Sequence, residues 1–474
     1  MEKDLRVFDK EILEKKLKDN IDIKAVSIID RLHKHGFEAY IVGGCVRDII
    51  MDKKPNDWDI TTNALPEDII VIFEKTVPTG VQHGTVSVLI DSDLFELTTY
   101  RIDGKYLDYR RPENVEFSNS LKDDLSRRDF TINALAYNNI SGLIDEFNGI
   151  EDIKNKIISC VGNPDKRFNE DALRIIRAIR FSAKLGFTID DTTFKSIEKN
   201  AKNIKNISIE RINLELEKII EFDPEKIKLL NRYSMSEFIF SGYIPNDDSI
   251  NQSKKIHEIA LYFMNNIDIK ENTQRTIESL GLKQFFKYNA DLSKLDQKNF
   301  MAMKRALIFK GVEYEKLHEI LKKLRYSNKN IEKTEKIFYI LNNKETELLL
   351  NDNLEKVKYK MILKKILNYM QDVDLVKCAL FAKFIEKFEN PTFCFQAIND
   401  IILRGECFSV SQLSINGRDI IENNIAQGAE IGYILDSILD YVMEHPESNE
   451  KKKLLSLSRK IQNNNINWRY DHEL

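Results

Sequence analysis

Cysteine is scarce and unpatterned. The five present in 474 residues (Cys45, Cys160, Cys378, Cys394 and Cys407) are odd in number and show no CxxC spacing. That excludes a disulfide framework and a thiolate zinc site, and suits the reduced thiols of a cytoplasmic protein. Long hydrophobic runs are also missing. No window approaches a membrane span, and Met1-Glu2-Lys3-Asp4 is charged where a secretory leader would be apolar. Nor does one sign of charge dominate. Lys and Arg number 72 against 76 Asp and Glu, for a net charge of −4 and a pI near 6.1. Any polyanion site must therefore be a local basic face. What the chain does have is 42% hydrophobic and 31% charged residues, enough for about three domains with sizeable cores and a helix-rich, solvated surface.

The organising stretch is Gly43-Gly44-Cys45-Val46-Arg47-Asp48, followed by Asp57-Trp58-Asp59. Phe37–Val42 reads as a short strand and Val46–Met51 as a helix. Two glycines at a strand-to-helix turn let backbone approach a ligand, and the unpaired N–H groups of the helix start favour an anion. Arg47 adds a cationic fork suited to phosphate. Asp57 and Asp59 open a strand expected over Asp57–Thr61, so their carboxylates leave one face. Facing carboxylates repel unless a cation lies between them, and hard oxygen ligands favour Mg²⁺. Either motif alone is more often a loop or a surface turn. Together, ten residues apart, they point to phosphate chemistry, with metal ions activating a hydroxyl for attack on a triphosphate.

Around this pair, residues 7–35 carry helical periodicity ending at Gly36. Thr85–Ile90 and Leu94–Tyr100 read as a hairpin beside the aspartate strand. Glu96 lies inside its second run, either as a third carboxylate for the metal or as an outward-facing edge residue. Residues 101–120, with Arg101, Tyr106, Tyr109, Arg110, Arg111 and Pro112, read as a basic, aromatic loop suited to backbone contact and base stacking. Arg127-Arg128-Asp129 is expected to open an apolar helix. There Asp129 would hold a ribose 2′-hydroxyl and Arg128 a phosphate, favouring ribonucleotides.

Residues 156–186 hold the run Arg167–Phe181, in which Asp171, Arg174, Arg177 and Arg180 read as members of one helix. Asp171 and Arg174 are neighbours one turn apart, whereas Arg180 has rotated to roughly the opposite side from Asp171. The pair at 171 and 174 is assigned the base edge. Arg177 is assigned the phosphates or a carboxylate, and Arg180 holds the helix or reaches the ligand from its margin. A carboxylate only accepts and a guanidinium only donates. Side by side they complement cytosine and adenine, which present an amine next to an unprotonated ring nitrogen, and oppose uracil and guanine. From about residue 205 the pattern is overwhelmingly helical, with a helix begun by Ile207-Ser208-Ile209-Glu210-Arg211 and running to about Phe222, and no repeat of fixed period. Lysine-rich helices at 319–336 and 356–365 are candidates for an RNA-facing surface, although such runs are most often solvated faces. Residues 408–443 read as a last small helical module.

Together these residues resemble the class II tRNA nucleotidyltransferases, the bacterial CCA-adding and poly(A) polymerase family. The match is dense over residues 36–223 and looser beyond. Gly43-Gly44-x-Val46-Arg47-Asp48 with Asp57 and Asp59 is similar to the family's triphosphate and Mg²⁺ motif. Arg127-Arg128-Asp129 resembles its ribose motif, and Glu170-Asp171-x-x-Arg174 its amino-acid template for CTP and ATP. Arg177 and Arg180 match further nucleotide-pocket positions. The resemblance implies an α+β nucleotidyltransferase head with a mixed sheet (1–150), then an all-α neck that selects the base (151–223), body (224–400) and tail (401–474), in an elongated, seahorse-like molecule. It implies addition of C, C and A to tRNA 3′ ends from CTP and ATP with Mg²⁺, in the cytoplasm. The run from Thr99 to Pro112 is similar to the flexible loop of members that add the terminal A. An A-adding enzyme or poly(A) polymerase, and a non-catalytic tRNA-binding protein on the same scaffold, are the alternatives. Ser159 departs from the arginine of many relatives, and no His-Asp pair of a phosphohydrolase module follows the neck.

Overall fold

The computed structural model describes residues 8–104, 115–265, 271–288, 296–351 and 353–464. Contacts divide the chain into two units, residues 1–244 and 245–474.

The first unit opens with helices Lys10–Asn20 and Ile23–Lys34, each started by an aspartate whose side chain accepts a backbone N–H (Asp9, Asp22). The single helical run expected over residues 7–35 is thus interrupted at Ile21-Asp22. Gly36, at φ +86°, ends the second helix. The Ala39 N–H then donates to His33 Nε2, 3.3 Å, so β1 (Ala39–Val42) starts two residues later than its aromatic and branched residues suggest.

A seven-stranded mixed sheet follows. Its strands are β1, β2 (Asp59–Thr62), β3 (Thr76–Gly80), β4 (Thr85–Ile90), β5 (Asp93–Thr99), β8 (Leu135–Asn138) and β9 (Gly142–Asp145), in the order β3-β4-β5-β2-β1-β8-β9. β4 and β5 form the expected antiparallel hairpin, and β5 runs parallel to β2, with Glu96 opposite Asp59. Tyr40, Val42, Ala134, Ala136 and Tyr100 pack one core cluster behind it. Two of the remaining strands, β6 (Arg101–Asp103) and β7 (Val115–Phe117), pair with each other. They correct the reading of 101–120 as loop throughout. Tyr106, Tyr109, Arg110, Arg111 and Pro112 lie outside the described residues.

Three further expectations change. β2 begins at Asp59, so Asp57 lies two residues ahead of the strand. Arg127-Arg128-Asp129 does not open a helix. Arg127 closes the helix Leu121–Ser126, which Ser120 caps, and Phe130 then bridges to Cys160 in extended backbone. Residues 167–181 are not one helix. Pro164–Glu170 and Leu173–Leu185 are separated at Asp171, whose backbone is extended (φ −141°, ψ 104°) and whose Oδ1 accepts the Leu173 N–H at 3.0 Å. An aspartate competing for the backbone at a helix start explains the break. The helix Ile209–Phe222 falls where its pattern placed it and packs its buried Ile212, Leu216, Ile219 and Ile220 inward.

The described part of the second unit consists of helices and their connections. Its final helices, Gly417–Glu422, Ala429–Glu444 and Lys451–Asn464, share a core of Ile420, Ile438, Leu439, Val442 and Leu454. The lysine-rich stretches are not uniform basic faces. Residues 319–336 span parts of two helices, Tyr314–Lys323 and Asn328–Asn342. Lys364 is 1% exposed, with Nζ 2.8 Å from the Met443 carbonyl and 2.8 Å from Glu406. Lys333 donates to the Asn299 side chain.

Candidate active site

A cavity of about 620 Å³ in the first unit is lined by every residue proposed from the sequence to hold metal, triphosphate, ribose or base, except Glu96. Gly43, Gly44, Asp57, Asp59, Asp171 and Arg174 line it together. Arg47, Arg128, Asp129, Arg177 and Arg180 also line it. Gly43, at φ +81°, turns β1 into the helix Gly44–Ile50, and a Cβ there would stand 3.2 Å from Arg128 Nη1. The positive φ favours glycine, and a Cβ would also crowd the Arg128 guanidinium.

Burial pushes the Asp59 carboxyl up to about 6, and the neighbouring Asp57 and Glu96 carboxylates add to the effect while Arg128 opposes it. Two adjacent carboxylates with too little positive charge beside them fit a divalent cation with oxygen ligands. Glu96 is exposed and outside the cavity lining. Among the described residues no three acidic, His or Cys side chains converge as a metal cage. A cation here would rest on Asp57 and Asp59 and complete its shell with water or nucleotide oxygens.

The basic residues are held by partners that the sequence pattern did not identify. Arg47, 3% exposed, donates from Nε (2.9 Å) and Nη2 (2.6 Å) to Asp48 Oδ1 and from Nη1 to Asn133, leaving one N–H on each terminal nitrogen. Asp124, fully buried, accepts from Arg127 (Nε, 2.9 Å), Arg128 (Nη2, 3.1 Å) and Thr61 (Oγ1, 3.1 Å). Burial would raise its pKa, but Arg128 and Arg127 outweigh that and hold it below the usual range. Asp129 accepts from Arg177 Nε (2.9 Å) and Nη2 (2.6 Å), from its own neighbour's Phe130 N–H (2.8 Å) and from Asn133 (3.2 Å). Against the cost of burial, Arg177 draws its carboxyl down to about 2. A ribose hydroxyl reaching Asp129 would have to share a carboxylate already accepting four N–H groups.

Asp171 and Arg174 do not pair with each other. Arg211, from the helix Ile209–Phe222, donates Nη2 to Asp171 Oδ2 at 2.7 Å. Arg174 donates Nη1 to Glu170 (2.9 Å) and Nη2 to the Arg127 carbonyl (2.9 Å). Because Asp171 lies outside the helix, the rotation argument that set it opposite Arg180 does not hold, and both line one cavity. Arg180 stacks on Phe181, 3.9 Å from the ring centroid, and ion-pairs with Glu215 at 2.6 Å, which also faces Arg177 at 3.6 Å.

The unforeseen residues are therefore Asp48, Asp124, Asn133, Arg211 and Glu215. Arg211, Glu215, Lys218 and Phe222 share one face at helical spacing, and all but Glu215 line the cavity. That spacing was the available signal. Burial raises the thiols of Cys45 and Cys160 to about 12, which leaves no thiolate nearby.

The mixed sheet and the aspartate pair facing an arginine-walled cavity are those of a nucleotidyltransferase head. The description "Poly A polymerase head domain" matches residues 39–159, "Probable RNA and SrmB- binding site of polymerase A" residues 186–245, and "tRNA nucleotidyltransferase domain 2" residues 303–457. The chain thus carries a poly(A) polymerase head domain followed by the RNA-binding and tRNA nucleotidyltransferase segments that these descriptions name. It is similar to the CCA-adding enzyme of Lactobacillus helveticus, 48% identical over 42% of this chain and 50% of that one. It is also similar to that of Geobacillus stearothermophilus, 48% identical over 46% of this chain and 54% of that one. These matches span about half the length of the curated relatives. Among solved structures, the CCA-adding enzyme of Bacillus stearothermophilus in complex with CTP superposes with a TM-score of 0.70 at 26% identity, covering 93% of this chain and 97% of that one.

Proposed function

We propose that the protein adds C, C and A to tRNA 3′ ends, without a nucleic-acid template, from CTP and ATP. The observation that carries this is one cavity lined by an aspartate pair, several arginines, and the Asp171 acid with the Arg174 guanidinium. In the reaction the 3′-oxygen of the RNA attacks the α-phosphorus. A new P–O bond forms, the bond to the β-phosphate's bridging oxygen breaks, and pyrophosphate leaves. Asp57 and Asp59 would hold Mg²⁺, which when bound would supply Lewis-acid activation of the hydroxyl and neutralise phosphate charge.

The chain's own residues do the rest. The Gly43-Gly44 turn, Arg128 and the two spare N–H groups of Arg47 receive the triphosphate. Asp129 orders the sugar side of the cavity through Arg177 and Asn133. Asp171 accepts the exocyclic amine of cytosine or adenine, and Arg174 donates to the adjacent ring nitrogen. Arg180, on Phe181 and Glu215, keeps that helix in register, and Glu96 tunes Asp59 from the adjacent strand.

Residues 1–150 would then carry the chemistry, 151–223 base choice, and 224–400 with 401–474 the grip on tRNA. Five buried, unpaired thiols support a reducing, cytoplasmic setting. Among the described residues no helix is long and apolar enough to cross a membrane. Supplying tRNA that lacks CCA with CTP alone tests the reading. Two C residues should be added, and one A follows when ATP joins. Failure to add C, with A added to a tRNA ending in CC, would favour an A-adding enzyme instead.

A further inference from the structure

We infer that Arg211 sets the nucleotide selectivity of the pocket as the positioning residue for Asp171, an inference that rests on the base-selecting reading above. Asp171 sits at the break between two helices in extended backbone, its N–H on the Arg167 carbonyl at 3.2 Å, so the direction of its side chain is set by what the carboxylate itself accepts. Two groups orient its carboxylate. One is local, the Leu173 N–H on Oδ1 at 3.0 Å. The other comes from a separate helix, the Arg211 fork, with Nη2 2.7 Å from Oδ2 and Nη1 3.4 Å from Oδ1.

The local bond leaves the carboxylate free to swivel about its own chain. The fork spans both oxygens and removes that freedom. It leaves acceptor capacity on Oδ2 for a base amine, so Arg211 need not depart when a nucleotide enters. Its supporting helix is anchored to the same wall. Glu215, one turn along, ion-pairs with Arg180 at 2.6 Å, so the fork is registered against the helix that carries Arg174. Arg174 is separately fixed by Glu170 and the Arg127 carbonyl. The Arg174 guanidinium is thus held by groups other than Arg211, and loss of the Arg211 fork should loosen the acceptor first.

A base that presents an amine needs that acceptor in one place. A base that presents a carbonyl is rejected only while the carboxylate faces it. Freeing Asp171 should weaken both, narrowing the gap between CTP and UTP rather than slowing all nucleotides alike.

The experiment measures kcat and KM for single CTP and UTP additions to tRNA lacking CCA, for the full chain, Arg211→Gln, Arg211→Lys, Asp171→Ala and the Arg211→Gln/Asp171→Ala double variant. Arg211→Gln should lower the CTP-over-UTP ratio of kcat/KM by about tenfold, chiefly through a raised KM for CTP. Arg211→Lys should recover part of the ratio, because one cation still reaches Oδ2. In the Asp171→Ala background, Arg211→Gln should leave the ratio where Asp171→Ala put it.

An unchanged ratio in Arg211→Gln, an equal loss for both nucleotides, or a further drop in the double variant would overturn the assignment. Should Arg211→Gln fail to fold, Arg211→Lys decides, since a purely structural role predicts no change in its ratio. Failure of the underlying reading looks different. The unsubstituted chain would itself show no preference between CTP and UTP.

Discussion

Buried charge is handled in two ways in the two units. In the second, Lys364 and Lys383, each 1% exposed, donate hydrogen bonds to the carbonyl ends of neighbouring helices: Met443 near the end of Ala429–Glu444, and Leu341 at the end of Asn328–Asn342, with Glu406 also pairing Lys364. Helix C-termini leave carbonyls unpaired, and a buried ammonium satisfies them. In the first unit, Arg47, Arg174, Arg177 and Arg180 meet carboxylates that line or back a cavity, and Arg47 retains N–H groups for a ligand. A cation serves structure when its donors are used up inside the fold. It serves chemistry when the fold holds it and leaves donors facing open space.

Substitutions can break that contrast. Asp59→Asn should have the largest effect, cutting nucleotide addition by about a thousandfold while the chain stays folded, since several kcal/mol of charge stabilisation is lost. Parallel rate and thermal-unfolding measurements check it. Glu215→Gln removes the counter-charge behind Arg180 and Arg177, so urea unfolding should report a loss of about 3 kcal/mol, the cost of an uncompensated buried charge. Lys364→Met should instead cost about 1–2 kcal/mol, because Glu406 keeps Lys360 at 2.7 Å. It should leave KM for CTP unchanged. A shifted KM would show that the second unit's buried lysines are not purely structural.

The smallest effect is in acid. The Asp129 carboxyl sits at about 2 against a usual 3.8, so the folded state prefers its charged form. That contribution is complete above about pH 4 and is lost as pH falls towards 2. Asp129→Asn should flatten the pH dependence of stability in that interval, as acid unfolding would show.

Much of the site was legible because its signals are local. The Gly43-Gly44 turn, the spacing of Asp57 and Asp59, the β4–β5 hairpin and the Ile209–Phe222 helix all follow from short-range pattern. What stayed hidden depends on pairing across distance. Strand β8 acquires its place in the sheet only through β1, remote in sequence. Arg211, 40 residues from Asp171, and Glu215 look like ordinary members of an amphipathic helix until folding brings them to the wall. The break at Asp171 escaped notice because arginines three apart imitate a continuous helix, whereas a single side-chain cap ends it. The lysine runs misled for a related reason. Periodicity does not distinguish a solvated lysine from one that seals another helix's end.

The most direct test is the incorporation of all four nucleotides by Asp171→Ala on tRNA lacking CCA. If an acid and a guanidinium choose the letter, discrimination against UTP and GTP should erode by on the order of a hundredfold. Strict addition of C and A by that variant would contradict the account.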